Sequence, residues 1–441
     1  MDTVARSLWA VLLGTFSLRF STGLTGGLLV YYLADLPAHG GPEVSGFMLG
    51  LLGATYYGAE LVLSPGFGVL SDRLGAHRVM QWGPVFGAVA VVMTAFTTDL
   101  FVLGVTRWLE GAAAGASIPS ILGYIALATS RDEQLRGRTV ARFEAATLAG
   151  IGAGIVAAGP LYEWIGRGAF LLNAGIYAVS YVIYRWGVAE PSAVGHEEEA
   201  AAIASVRDER FSMARYRRVL ASPGVWLLAP TWVALNAVLG SWTTQSVFQL
   251  VRAPSDRFAG QLLMGGFAPT QVSAGLAVAM VVFFVGLFYW GNRFRRFRRT
   301  TIIGIGIAGG VVMMGAVFAI NHSQAVGLAL QVPMIALLMA GLFVLAGATP
   351  AALGLLADIS ESHPADRGAI MGLYSVFLAV GQIVGALVSG WAADWLGIDG
   401  LLAASLGLLV VAILPLQRLR ASEHLVGERH DIGDVPDLLA G

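Results

Sequence analysis

Residues 100–127 read LFVLGVTRWLEGAAAGASIPSILGYIAL, an apolar run with only two charged residues, Arg107 and Glu110. A helix of about 20 mostly apolar residues crosses the hydrocarbon core of a bilayer, so this run is long enough to span it. A charge at the centre of a membrane helix costs about 2.5–3.5 kcal/mol on insertion scales. We therefore expect Arg107 and Glu110 to be paired with each other or with further charges, or to line a water-filled cavity.

The composition of the whole chain is that of a membrane protein. Apolar residues make up 56% of the 441 residues, charged residues only 12%, and the mean hydropathy is +0.71. An ordinary soluble domain is roughly a quarter charged. The net charge of -1 gives no reason to expect a nucleic-acid partner. The chain has no cysteine, which excludes disulfides and thiolate metal ligands, and we expect no metal site.

Apolar runs of similar length recur along the chain and predict an all-α membrane protein with twelve transmembrane helices. A polar segment at 187–222 separates them into two groups of six. We expect two pseudo-symmetric six-helix bundles at 1–186 and 223–416, a cytoplasmic linker at 187–222 and a cytoplasmic tail at 417–441. The predicted spans lie near 8–33, 44–65, 79–97, 100–127, 141–161, 169–186, 224–250, 271–290, 301–320, 325–357, 368–391 and 401–416.

The two halves of the chain repeat one another at a constant offset of 231 residues. Identities in one register across loops and helices indicate a duplicated six-helix unit. Such duplication is typical of secondary transporters, whose substrate site lies at the repeat interface near the bilayer midplane. The matching pairs are Pro119 and Pro350, Leu122 and Leu353, Gly123 and Gly354, Arg136 and Arg367, Gly137 and Gly368, Gly150 and Gly381, Gly154 and Gly385, Gly159 and Gly390, Trp164 and Trp395, and Gly166 and Gly397.

The arginines orient the predicted spans, because the chain contains no lysine. With the N-terminus in the cytoplasm, 22 of the 27 arginines fall in the inner loops, the two termini or the inner ends of spans, and the outer loops hold three. Positive residues favour the cytoplasmic side of a membrane. We therefore expect a multi-pass protein of the inner (plasma) membrane, a monomer with both termini in the cytoplasm. The loop between the eighth and ninth spans is the most basic, with Arg293, Arg295, Arg296, Arg298 and Arg299.

A glycine- and arginine-rich motif, GVLSDRLGAHR, runs from Gly68 to Arg78 between the second and third spans. Gly75 permits a tight turn, Asp72 can face a helix N-terminus, and Arg73 favours a cytoplasmic position. The motif resembles the loop signature of the major facilitator superfamily, G-x-L-(S/A)-D-R-x-G-x-R. That resemblance implies alternating access between two bundles, with this loop latching the bundles in the outward-facing state. The alternative is a generic positive inner turn.

The fourth span is similar to a second motif of the same superfamily, R-x-x-Q-G, which is associated there with proton coupling. Arg107 and Gly111 match it, and Glu110 stands where glutamine is usual, which adds a titratable carboxylate. The fifth span carries Gly150, Gly154 and Gly159 followed by proline, a partial match to the glycine-proline motif of antiporters in the superfamily. These resemblances favour a proton-coupled carrier.

Four ionisable residues lie well inside predicted spans: Arg19, Glu60, Arg107 and Glu110. At 1.5 Å per residue, Arg19 and Glu110 both fall near the midplane and can meet, while Arg107 competes for the same carboxylate from one helical turn away. Our hypothesis is that Glu110 exchanges a proton and that the arginines hold it ionised until substrate or a conformational change moves them. A permanent salt bridge and direct anion binding by the arginines are the alternatives. Glu60 is a further proton or substrate candidate, or simply reaches water at the inner surface.

Aromatic and amide side chains complete the predicted site, and one wall of the expected cavity is charged while the other is apolar and aromatic. Such a cavity would suit an amphiphilic organic molecule. The candidate cavity residues are Phe20, Tyr56, Trp232, Trp242, Gln245 and Tyr374.

The sequence thus predicts a secondary transporter that exports hydrophobic or amphiphilic compounds, with no cofactor and with the proton gradient as its driving force. The main alternative is an uptake carrier in which Arg19 and Arg107 clamp an organic anion. A non-transporting sensor or a membrane enzyme is a further alternative, but no loop gathers a recognisable set of catalytic residues, so we expect no enzyme activity.

Overall fold

The computed structural model describes residues 3–130, 132–190, 223–294, 296–324, 328–362 and 367–421, and the elements in these ranges are helical. The side chains of residues 3, 223–225, 328, 356–362 and 367–374 lie outside the description. In chain order the helices are α1 (Thr3–Ala34), α2 (Gly46–Leu74), α3 (Ala76–Val79), α4 (Trp82–Phe96), α5 (Leu100–Ala128), α6 (Glu133–Ile165), α7 (Gly168–Gly187), α8 (Pro223–Val251), α9 (Pro269–Gly291), α10 (Arg299–Asn321), α11 (Leu328–Leu345), α12 (Ala348–Ser362), α13 (Arg367–Leu396) and α14 (Ile398–Ala421).

All twelve predicted spans are found as helices, and the predicted fold class is confirmed. The tenth span is interrupted at Ala346 and Gly347, where the chain passes from α11 to α12. Pro350 has no N–H to donate to the carbonyl of Ala346, so the helical ladder cannot run through unchanged. A Cβ built on Gly347 would lie 2.6 Å from Cγ of Trp290, so only glycine lets α9 approach this break.

Nine of the described helical segments are long and apolar enough to cross a membrane. The segments from α1, α7 and α8 are also long, but polar residues such as Thr15, Arg19 and Asn173 make them less hydropathic. Large apolar side chains are exposed on the outer surfaces of the helices, including Phe101 at 81% and Phe96 at 75%. In water such a surface would be unfavourable, and in lipid it is the ordinary exterior.

The described residues form two compact units. The first contains residues up to 190 together with 250–253 and 266–277, and in it α1 packs on α6 and α7 while α5 packs on α2 and α4. The second contains 223–249, 254–265 and 278–421, and in it α10 packs on α11, α12 and α14. The boundaries at 186 and 416 stay a prediction, since most of the linker and the tail lies outside the described residues.

The first turns of α9 belong to the first unit, where they are held by hydrogen bonds to α6 and α1. The Glu163 carboxylate accepts from the backbone N–H of Thr270 at 3.1 Å and also from the Thr270 hydroxyl. The Ser273 hydroxyl accepts from the N–H of Gly159 at 3.1 Å and lies 3.2 Å from the hydroxyl of Tyr31. A carboxylate at the start of α9 is electrostatically favourable, because the first N–H groups of a helix have no partner within it.

The predicted repeat is visible as matching local geometry inside each unit. A Cβ built on Gly150 would lie 2.9 Å from the Cβ of Arg19, and one built on Gly381 would lie 2.6 Å from the Cβ of Asn236. In each unit, therefore, a glycine of the fifth helix of the repeat lets the first helix approach to backbone contact. Gly166 and Gly397 also share a positive φ, 52° and 65°, at the turns that follow α6 and α13.

Candidate functional site

The ion pair predicted for the fourth span is present and buried. Nη1 of Arg107 donates to Oε2 of Glu110 at 2.5 Å, one turn apart on α5. The two residues are 8% and 4% exposed. The structure therefore gives Arg107, and not Arg19, as the ion-pair partner of Glu110.

Small residues on α5 bring this pair close to α2. A Cβ built on Gly111 would collide with the carbonyl of Tyr56 and lie 2.7 Å from the Cβ of Ala59. Ala112, Ala113 and Ala114 after it are each 5% exposed. Close packing through small residues is characteristic of membrane helices, and it shields the two charges from lipid.

Tyr56 connects α2 with the ion pair. Its ring centroid lies 4.9 Å from the guanidinium carbon of Arg107, a cation-π geometry, and its ring meets that of Tyr57 edge-on at 5.0 Å. A cation over an aromatic face gains roughly 0.5–2 kcal/mol, the upper part of that range when it is desolvated. Tyr56, predicted as a cavity residue, thus contacts the arginine that holds the carboxylate.

Three buried polar atoms of the site have no hydrogen-bond partner among the described residues: Oε1 of Glu110, Nε of Arg107 and Nε of Arg19. Leaving a buried polar group unsatisfied costs about 1–3 kcal/mol, and more when it is charged. A buried salt bridge that only stabilises the fold is expected to have its remaining atoms satisfied. Oε1 of Glu110 is therefore a buried acceptor that no group of the described residues uses.

Arg19 lies on α1, is 6% exposed and packs against Gly150 of α6. It interacts electrostatically with two carboxylates, Glu60 of α2 and Glu144 of α6, but in the described part of the chain it has no acidic partner within 4.0 Å. The sequence indicated Glu60 and missed Glu144, which lies near the inner end of the fifth span. Arg19 thus interacts with carboxylates on two different helices.

A polar stripe on α7 supports α1 beside the ion pair, and sequence reasoning missed it. The amide nitrogen of Asn173 donates to the Ser21 carbonyl at 3.0 Å and to the Thr25 hydroxyl at 2.8 Å. Tyr177, one turn further along α7, is 1% exposed and interacts electrostatically with the carboxylate of Glu110. The signal was available as buried polar residues at helical spacing: Asn173, Tyr177, Ser180 and Tyr184.

In the motif between the second and third spans, Gly75 has φ +91° at the junction of α2 and α3, as a tight turn there requires. Arg78 donates to the carboxylate of Glu190 at 3.2 Å, just beyond α7. Asp72 and Arg73 are exposed, and Gly68 lies inside α2 with open space beside it. The predicted latch between the bundles stays a prediction.

The cavity residues predicted in the second half have packing contacts. Trp232 is 4% exposed and lies in the hydrophobic core of the second unit, and the indole N–H of Trp242 donates to the hydroxyl of Ser405 at 3.1 Å. Gln245 is buried and accepts a hydrogen bond from Gln249 at 3.2 Å. The side chain of Tyr374 lies outside the described residues. Whether these residues contact substrate stays a prediction.

Phe20, predicted in the first half, is half-buried on α1, and its ring lies 6.4 Å from that of Phe16. Its neighbour Arg19 packs against Gly150, and Asn236 packs against the equivalent Gly381 in the second unit. Arg19 and Asn236 therefore occupy equivalent positions in the two units. The charged residues of the candidate site are therefore all in the first unit. Within the described ranges, no group of three or more His, Cys, Asp or Glu side chains is placed to hold a metal ion.

Comparison with known proteins identifies relatives among transporters, although each match covers only part of the chain. A segment of 107 residues is 31% identical to the multidrug resistance protein MdtG of Serratia proteamaculans, covering 24% of this chain and 26% of that protein. A segment of 204 residues is 28% identical to the chromaffin granule amine transporter of Homo sapiens, covering 44% and 38%. MdtG of Escherichia coli is 24% identical over 173 residues, covering 39% and 41%. The matches thus span less than half the length of these relatives.

Solved structures match over almost the whole chain. The peptide transporter POT in complex with alafosfalin has a TM-score of 0.69 at 15% identity, covering 97% of this chain and 100% of that one. A bacterial homologue of the human lysosomal transporter Spinster has a TM-score of 0.65 at 14% identity, covering 97% and 96%. The nucleoside transporter NupG has a TM-score of 0.61 at 15% identity, covering 96% and 99%. At these identities the likeness shows the fold alone.

The family model of the Major Facilitator Superfamily matches residues 11–266 and 258–429, which is nearly the full length. This match agrees with the helical fold, the repeated glycines and the turn at Gly75. The protein is a multi-pass membrane transporter and not an enzyme, and the chain belongs to the Major Facilitator Superfamily.

Proposed function

We propose that this transporter is a proton-coupled exporter of hydrophobic or amphiphilic small molecules. The observation that carries the proposal is the buried ion pair of Arg107 and Glu110, in which Oε1 of Glu110 has no hydrogen-bond partner among the described residues. A carboxylate inside a membrane span is costly to insert, so such residues usually have a function, and proton relays are a common one.

The geometry allows the charge of Glu110 to be balanced in two ways. In the ionised state the carboxylate is neutralised by Arg107 at 2.5 Å. When Glu110 is protonated, the guanidinium loses its counter-ion but keeps the ring of Tyr56, 4.9 Å away. A proton therefore competes with the ion pair, and its binding would weaken the contact between Arg107 and Glu110. That competition is what coupling of proton movement to a conformational change requires.

The substrate class is inferred from the residues beside the ion pair and from the relatives. Tyr56, Tyr57 and Phe20 offer aromatic surface next to charged groups, which suits molecules with both apolar and polar parts. The partial relatives include multidrug resistance proteins and an amine transporter, and their names support export of organic compounds. A small molecule and the lipid bilayer are the expected partners, and the protein is expected to act as a monomer without nucleic acid.

The test uses purified protein in liposomes with an imposed pH gradient and a panel of fluorescent dyes, drugs and organic acids. We expect the wild type to move dyes against their gradient when protons can flow the other way. In Glu110→Gln, the flux should be equal with and without the pH gradient. The control is Glu43→Gln, an exposed carboxylate in the loop before α2, which should behave as the wild type. Gradient-driven export that persists in Glu110→Gln would refute the coupling role.

A second function, uptake of an organic anion, is favoured by one observation. Nε of Arg19 and Nε of Arg107 both lack a hydrogen-bond partner among the described residues, and guanidinium groups bind carboxylates well. The same liposomes separate the two functions, because an anion carrier that relies on arginine would retain uptake of organic acids in Glu110→Gln. Dye export that depends on Glu110 would exclude the anion-uptake function.

A further inference from the structure

The loop between α9 and α10 folds into a compact turn in which the phenylalanines pack inward. The backbone N–H groups of Arg296 and Phe297 donate to the carbonyl of Arg293 at 2.9 and 3.1 Å. Phe294 and Phe297 pack against the hydrophobic core of the second unit and hold the turn in place. Arg296 is exposed at the surface of the turn, and Arg293 is half-buried.

Aromatic rings orient two of these arginines. The guanidinium carbon of Arg293 lies 4.6 Å from the ring centroid of Tyr289, and that of Arg296 lies 5.9 Å from the ring of Phe297. A guanidinium stacked on a ring keeps its N–H edges directed away from the face, which is the geometry that binds phosphate through paired hydrogen bonds.

Three arginines of this loop have no acidic partner among the described residues. Arg293, Arg296 and the exposed Arg298 have no carboxylate within 4.0 Å in the part of the chain that the structure describes. Arg299 differs, because it donates to the carbonyl of Gly354 and stacks on Phe294. We define the basic cluster as Arg293, Arg296 and Arg298. Three neighbouring positive charges without counter-ions attract an anion.

An exposed apolar stripe on α9 leads directly to the basic cluster. Val278, Val281, Val285 and Phe288 are 56%, 63%, 55% and 68% exposed, and their spacing of three and four residues places them on one face of α9. Tyr289, whose ring carries Arg293, follows at the end of the stripe. An apolar helix face of this kind suits contact with lipid tails, and with the stripe among the tails the basic cluster would lie at the level where lipid headgroups begin.

We propose that the basic cluster and the α9 stripe form a binding site for one anionic phospholipid. The phosphate is bound by Arg293, Arg296 and Arg298, and an acyl chain lies along Val278 to Phe288. The stripe favours a lipid over a soluble phosphate compound, because only a lipid offers the phosphate and the chain at once. The site is separate from the ion pair of α5 and does not depend on the proposed transport function.

The experiment is native mass spectrometry of the intact protein in detergent, titrated with phosphatidylglycerol, phosphatidylcholine or soluble glycerol phosphate. We expect one phosphatidylglycerol to bind the wild type at least about tenfold more tightly than phosphatidylcholine, since an arginine near an anionic surface contributes about fivefold each. The variant R293Q/R296Q/R298Q should lose about tenfold or more, and the matching lysine variant should lose less, because lysine keeps the charge without the paired hydrogen bonds.

The matched control removes three exposed arginines from the first unit, R6Q/R138Q/R185Q, and should bind phosphatidylglycerol within about twofold of the wild type. Thermal unfolding in detergent verifies that both triple variants are folded. An equal loss in the two triple variants would mean that only total charge matters, and would overturn the proposal. Glycerol phosphate that displaces the lipid at similar concentration would overturn it too, because the ligand would then be a soluble phosphate.

Discussion

At the scale of single residues, the contacts of Arg107 bear on whether its ion pair with Glu110 is switchable, as we propose, or permanent. The guanidinium binds Glu110 through Nη1 and lies over Tyr56, while its Nε has no partner in the described residues. A salt bridge that only fixes two helices would link different helices, but Arg107 and Glu110 are both on α5. Their ion pair therefore holds no two helices together, which favours the proton-exchange hypothesis.

Tyr56 provides a prediction at this scale. Tyr56→Leu removes the ring beneath Arg107. Without the ring, the guanidinium is less well stabilised when Glu110 is protonated. Gradient-driven export should therefore fall about three- to tenfold, a loss within the usual range of cation-π energies. Tyr56→Phe keeps the ring and is the matched control, with export within about twofold of the wild type. Dye flux at several pH gradients measures both. Equal losses in the two variants would assign the effect to the hydroxyl and contradict the role of the ring.

At the scale of helices, glycines set how closely neighbouring helices pack. Gly150 of α6 has no room for a methyl group against α1, where a Cβ would lie 2.7 Å from the carbonyl of Phe16 and 2.9 Å from the Cβ of Arg19. Gly381 of α13 has the same relation to α8, with 2.6 Å to the Cβ of Asn236. Overfilling a well-packed contact typically costs about 1–3 kcal/mol.

We expect Gly150→Ala and Gly381→Ala each to destabilise the protein by about 1–3 kcal/mol, because the added methyl forces two helices apart. The control is Gly123→Ala on α5, where a Cβ would meet nothing within 4 Å. There the better helix propensity of alanine should leave stability unchanged or raise it by up to about 1 kcal/mol. Thermal unfolding of the purified protein in detergent measures all three. A Gly123 variant as unstable as the others would show that packing is not the cause.

The helices could be predicted from the sequence because a helix that crosses the bilayer needs an apolar run of a set minimum length. The repeat could be predicted because glycines at close helix contacts recur at the same spacing in both halves. The break between α11 and α12 could not, since it depends on how Gly347 meets Trp290 across the fold. The candidate site was predictable where a charge sits inside an apolar run, as with Arg19 and Glu110. The approach of Glu144 to Arg19 was not, because it requires the packing of α6 on α1.

At the scale of the whole molecule, the arginine distribution predicts both termini in the cytoplasm, and the absence of cysteine allows a direct test. Pro42→Cys in the loop before α2 and Gln134→Cys in the first turn of α6 place single thiols at exposed positions. In intact cells, a membrane-impermeant maleimide should label the thiol at position 42 and leave that at position 134 unlabelled until the cells are opened. The reverse pattern would invert the proposed orientation.

The equivalent positions of Arg19 and Asn236 show what the helix contact at this point requires. The glycines that pack on them make the same close approach in both halves, although the two side chains differ in charge. One position therefore carries a guanidinium in the first half and an amide in the second, with the same packing of the two helices. The contact constrains the glycine and the backbone and does not dictate the polar group, so a side-chain exchange at position 19 or 236 should alter local charge without separating the helices.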